Sequence, residues 1–213
     1  MSDTFIGHQI KLKKLEKTGI ILELNKLSTE KFVEKFLISY DDESIIERIN
    51  SEEIIIGEMV HKTIFFNRIL RDIQSTNDLT REYASSILCD FLEFDIKDFK
   101  IEELIIGVET IINQVKVENN INVEHKLVEG LFEFIWHKKL DKTKEVELLE
   151  RLTKIDKFYI WSYLGDEILE DIDNYNSKIL SDYRTKNFDK WKEKDIEIYG
   201  LEKTTEYYNK LKK

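Results

Sequence analysis

Not one proline occurs in the 213 residues, and the seven glycines, at positions 7, 19, 57, 107, 130, 165 and 200, never fall closer than twelve residues apart. Proline fixes φ and glycine frees it, so folds with frequent sharp breaks depend on both. Average usage of about 5% Pro and 7% Gly would have supplied roughly eleven and fifteen of them. Collagen, flexible tethers and many-turn β-sandwiches are therefore disfavoured, and helix is what remains.

The helical period carries that expectation along the chain. Phe32, Val33, Phe36 and Leu37 recur at i, i+1, i+4 and i+5, as on a core-facing helix. Ser51 is positioned to cap a long helix through Ile55, Met59, Phe66, Ile69 and Ile73. Tyr83, Ala84, Ile87, Leu88, Phe91 and Leu92 fit two adjacent i+4 rows after Asp78. Further stripes run from Ile101 to Val115, Val123 to Ile135, Val146 to Leu152, Trp161 to Ile172 and Leu180 to Trp191, and Gly200 is placed as a C-terminal stop before a last helix. The fold expected is all-α: a compact bundle of eight or nine helices, with irregular HEAT-like helix pairs as the competing arrangement and a small N-terminal β-hairpin at Ile10 to Leu24. Residues 1–28 would form a hairpin or helix arm, and 29–213 a single α-helical domain.

Charge is unevenly spread. The net −10 resolves into +2 over residues 1–40, −15 over 41–175 and +3 over 176–213. An acidic middle repels phosphate and speeds encounter with a basic partner. Cys89 is alone, which excludes an internal disulfide. Asp3 stands where a secretory leader would be basic, and no apolar run approaches the ~20 residues that cross a bilayer. The expectation is a cytoplasmic protein with no membrane contact.

Little of the sequence speaks of chemistry. The glycine spacing excludes a P-loop, which needs two glycines five apart, and a dinucleotide fingerprint, which needs three within six. No GxSxG, HExxH or cysteine pair is present. Glu58 and His61, at i and i+3, would share one side of a helix as metal ligands do in di-iron bundles, and they are the weak candidates for a metal. No catalytic residue and no cofactor is expected. Asp171 to Asp182 begins like a calcium loop but has Tyr175 and Asn176 where an oxygen ligand and a glycine belong.

Two surfaces suggest binding. Asp41, Asp42, Glu43, Glu47, Glu52 and Glu53 form one acidic group; Asp166, Glu167, Glu170, Asp171 and Asp173 form another, with no Lys or Arg between Lys157 and Lys178. Phe158-Tyr159-Ile160-Trp161-Ser162-Tyr163 points large rings all round a helix, and exposed Tyr and Trp anchor protein interfaces. The function expected is noncatalytic: an acidic inhibitor or immunity-type protein that neutralises a basic partner such as a toxin. Its contacts would be Asp166, Glu167, Glu170 and Asp171, with Tyr159 and Tyr163 as anchors. The alternatives are a helical metalloenzyme built on Glu58 and His61, and nucleic-acid binding through C-terminal helices that interleave Lys190, Trp191, Lys194, Tyr199, Lys203, Tyr207 and Lys210. Glu193, Asp195 and Glu197 in the same stretch disfavour nucleic acid as the partner.

Overall fold

Phe36, Leu37, Ile38, Ser39 and Tyr40 are each at most 2% exposed. A run buried on both alternating faces is the mark of a central strand. It belongs to an antiparallel sheet of β1 (His8–Leu12), β2 (Thr18–Lys26), β3 (Glu34–Tyr40), β4 (Ile46–Asn50) and β5 (Ile54–Met59), in the spatial order β4-β3-β2-β1-β5. The computed structural model describes residues 7–26, 34–94, 99–137 and 140–211.

The strand order forces the sheet to roll. β4 and β5 lie at opposite edges, yet only a 3-10 turn, Ser51–Glu53, joins them. Four strand spacings in a flat sheet come to about 19 Å. The four steps from Asn50 to Ile54 reach about 14 Å even fully extended. The sheet therefore curls, and the Lys13 amide donates to the Glu53 carbonyl where the turn meets β1. Ile10, Leu12, Ile21, Phe36, Ile38, Tyr40 and Ile54 fill the concave side as one cluster. On the other face of β3, Ser39 donates through its hydroxyl to Asp72.

Among the described residues, four helices complete the first unit: α1 (Lys62–Asp72), α2 (Asp78–Phe94), α3 (Ile101–Val117) and α4 (Ile121–Trp136). Their starts follow local rules. His61 caps α1 by accepting from the Thr63 amide, and Asn120 caps α4 by accepting from the Asn122 and Val123 amides. Ala84, Leu88 and Leu92 of α2 and Val123, Leu127 and Leu131 of α4 are buried at helical spacing. A buried ion pair, Arg81 Nε to Glu118 Oε2 at 2.8 Å, ties the first turn of α2 to the end of α3.

The chain divides into two compact units, Met1–His137 and Lys138–Lys213. The second contains α5 (Lys142–Leu152), α6 (Phe158–Asp171), α7 (Lys178–Tyr199) and α8 (Leu201–Leu211). Asp141 and Ser177 cap α5 and α7, and Gly200, at φ +86°, ends α7 in a conformation that favours glycine. Among the described residues no helix is long and apolar enough to cross a membrane.

The expectation of an all-α bundle or HEAT-like stack is corrected: the protein is mixed α/β, with eight helices and a five-stranded antiparallel sheet among its described residues. Phe36 and Leu37, read as a helix stripe, are adjacent residues on opposite faces of a fully buried strand, a pattern that short apolar runs share with helices. Phe32 and Val33 lie outside the described residues. Ser51 opens the 3-10 turn rather than a long helix, and Ile55 and Met59 belong to β5. The small hairpin is the β1–β2 part of a larger sheet. The boundary expected at residue 28 falls outside the described residues.

Candidate functional site

The C-terminal unit is organised around aromatic rings. Leu169, Trp191 and Tyr208 are buried together, with Trp161, Tyr183, Phe188 and Tyr207 packed against them. Gly165 makes this possible, since a β-carbon there would lie 2.7 Å from Trp191 Nε1. The Trp191 indole N–H donates to the Trp161 carbonyl at 3.0 Å, and the Trp161 indole N–H donates to Asn187 Oδ1 at 3.1 Å. The run from Phe158 to Tyr163 is thereby sorted by helix face. Ile160 is buried, Tyr159, Trp161 and Tyr163 are half-buried, and Phe158 is exposed.

The acidic residues of α6 are sorted in the same way. Asp166 shares a helix face with Tyr159 and Tyr163, at i+7 and i+3 from them, and is exposed. Glu167 is rotated away from that face and buried; it accepts a hydrogen bond from the Tyr175 hydroxyl. The same hydroxyl lies 2.8 Å from Glu145 Oε1, and Lys142 Nζ lies 3.2 Å from that oxygen and 3.8 Å from the Tyr175 ring centroid. Burial first, then the two carboxylates, push the tyrosine pKa far up, so the phenol stays a donor. Glu170 and Asp171 close α6, and their side chains lie outside the described residues.

Asp166 instead meets residues that are distant in sequence. It lines a cavity of about 290 Å³ with Asp195 and Tyr199 of α7 and Lys203, Thr204 and Tyr207 of α8. The Tyr208 hydroxyl donates to Asp195 Oδ2 at 2.8 Å, which orients that carboxylate. The Thr204 hydroxyl is buried and has no hydrogen-bond partner among the described residues. Ile198, Tyr199 and Leu201, 57%, 65% and 65% exposed, stand at the same helix corner. Two carboxylates against one lysine leave the lining net negative, and Tyr199 and Tyr207 add aromatic surface to it. A cation carried on an apolar stem fits this chemistry. Asp195 and Thr204 were missed as site residues, and Tyr207 was read only as a contact for a nucleic-acid strand, because only the Gly200 break, which returns α8 along α7, brings them to Asp166.

The other candidates are dispersed. Glu58 is exposed on β5 and His61 sits in the cap of α1, so the helix that would have paired them is absent. Among the described residues no group of three His, Cys, Asp or Glu could hold a metal ion. Tyr175, within the calcium-like stretch, is in the core. Burial, followed by the nearby Glu129, lifts the Cys89 thiol pKa to about 12, which keeps it protonated. Trp191 and Tyr208 of the C-terminal interleaved stretch are buried and present no stacking face to solvent.

The acidic groups of the first unit have local partners: Asp41 with Arg68, Glu43 with Lys17, and Glu47 with the Tyr40 hydroxyl. That unit nevertheless holds twenty-six acids against sixteen Lys and Arg, a net −10, while the second holds seventeen of each. No protein-family model, curated protein or solved structure matches the chain.

Proposed function

We propose that this chain is a noncatalytic, cytoplasmic binding protein for a basic protein partner, an inhibitor or immunity-type neutraliser of a protein such as a toxin. The observation that carries the reading is the α7–α8 corner. Exposed Ile198, Tyr199 and Leu201 stand beside a cavity lined by Asp166 and Asp195. Apolar and aromatic anchors next to a charge-selective pocket are what interface hot spots are made of. The net charge of −10, all of it carried by the first unit, supports a basic partner for the chain though not the place where it docks, because long-range attraction raises the rate at which such a partner arrives. Neutralisation would then be steric, the partner being covered by the docked helices.

The experiment is affinity capture from the native cell with the parent chain beside a Tyr199→Ala/Leu201→Ala variant. Both side chains are largely exposed, so the variant is expected to fold as the parent does. A protein with an isoelectric point above about 9, retained by the parent and lost from the variant, is the expected result. Recovery of the same proteins by both chains removes the corner as the docking site.

A further inference from the structure

We propose that a second site in the C-terminal unit, the groove between the α5–α6 loop and α7, binds a nucleotide, with phosphate held by lysines and the base laid on aromatic rings. This goes beyond protein docking, and no residue of the α7–α8 corner takes part.

The groove has a volume of about 500 Å³. That lies within the range of roughly 300–1,000 Å³ typical of small-ligand sites. Lys154 and Lys157 line it from the loop, and Lys186 and Lys190 from α7, against the single carboxylate of Asp156. Lys186 and Lys190 are one turn apart and so project on the same side. At the groove the side chains of Lys154, Lys186 and Lys190 have no hydrogen bond or ion pair among the described residues. Three lysines bordering one concavity present positive charge to an anion held there.

The lining adds a second kind of chemistry. Phe158, Trp161 and Tyr183 border the same groove, Phe158 being 58% exposed and its ring centroid 6.0 Å from that of Trp161. The Trp161 N–H is already spent on Asn187, and Asn187 in turn donates to the Tyr183 carbonyl. This network holds the tryptophan ring in place beside Phe158, whose exposed ring offers the stacking surface. Inorganic phosphate would use the lysines alone. A nucleotide uses both halves, because a base stacks on aromatic faces while its phosphate meets the cations. A free nucleotide and one residue of a single strand present the same chemistry.

The test is equilibrium dialysis at low salt with AMP, adenosine, inorganic phosphate and a ten-residue oligothymidylate, on the parent and on Lys186→Glu/Lys190→Glu, Phe158→Ala and Lys186→Arg/Lys190→Arg variants. AMP is expected to bind roughly tenfold or more tightly than adenosine or phosphate, since each of those supplies half of the contacts. Charge reversal and Phe158→Ala are each expected to weaken AMP by roughly tenfold, the arginine variant to retain it, and added salt to weaken it. Oligothymidylate binding tighter than AMP assigns the site to strands; AMP equal or tighter assigns it to free nucleotides. Absence of binding by both overturns the proposal, as does phosphate or adenosine binding as tightly as AMP, or binding unchanged by charge reversal. The lysine and Phe158 positions are largely exposed, and an unchanged far-ultraviolet circular dichroism spectrum and thermal midpoint verify that each variant is folded.

Discussion

Gly165 of α6 and Trp191 of α7 approach so closely that a β-carbon at position 165 would stand 2.7 to 2.9 Å from three atoms of the indole. Trp191 is 2% exposed and cannot swing into solvent without opening the cluster it shares with Leu169 and Tyr208. Gly165→Ala is expected to destabilise the C-terminal unit by about 1–3 kcal/mol, the usual cost of overpacking. Urea unfolding followed by tryptophan fluorescence checks it, and an unchanged midpoint contradicts the packing described.

Asp72 is fully buried and accepts from the Ser39 hydroxyl and from Arg71 Nε and Nη2, the latter at 2.6 Å. Arg71 Nη2 also donates to the carbonyls of Tyr40 and Glu43, so one cluster joins α1 to β3 and holds the following turn. Asp72→Ala is expected to cost about 1–3 kcal/mol, the penalty for leaving the buried Ser39 hydroxyl without its acceptor. Asp72→Asn, which keeps part of the hydrogen bonding, should cost less. Chemical denaturation of the two variants side by side measures the difference.

Glu118 supplies a pH dependence whose sign is fixed. Burial pushes its pKa up, but Arg81, the Asn120 amide and Gln114 outweigh that and hold it below the ordinary 4.5. The folded state therefore binds fewer protons than the unfolded one as pH falls past that value. Its contribution to stability is full above 4.5 and is lost as pH drops through the lower folded-state pKa. In Glu118→Gln the loss of thermal stability between about pH 5 and pH 3 should be shallower than in the parent. Scanning calorimetry across that range reads it, and parallel curves contradict the assignment.

Tyr175 places one hydroxyl between two buried carboxylates, Glu145 and Glu167. A phenol has a single proton and satisfies one of them at a time. Tyr175→Phe keeps the ring under Lys142 but removes the donor, and a loss of about 1–3 kcal/mol is expected. Urea midpoints of the variant and parent give the value, and a stabilised variant would show that the hydroxyl is dispensable.

The helices from α2 onward were legible because a period of 3.6 sustained over three or more turns has no strand equivalent. The sheet was not, and the reason is specific. Its interior strand, Phe36 to Tyr40, is buried on both faces and so lacks alternation, and the turn after it, Asp41 to Ile45, contains neither glycine nor proline. That turn is held from a distance, by Arg68 on the Ser39 and Tyr40 carbonyls, Arg71 on the Asp41 and Glu43 carbonyls and Thr18 on Asp41. A turn fixed by guanidinium groups from another element leaves no local signal. At the site, the exposure of Asp166 follows from its place opposite the Ile160, Leu164 and Ile168 row. Glu167 adjoins that row, and its burial could have been read from the same spacing. Its partner Tyr175 lies beyond the end of α6, which spacing along one helix does not reach.

The account of binding rests on the α7–α8 corner meeting a basic protein. The most direct measurement is the dissociation constant of the captured partner, at two salt concentrations, for the parent and for Asp166→Lys/Asp195→Lys. The prediction is a loss of roughly tenfold or more in affinity, with a weaker salt dependence in the variant, since the attraction being screened has been reversed. Equal affinity and equal salt dependence for the two chains would contradict it.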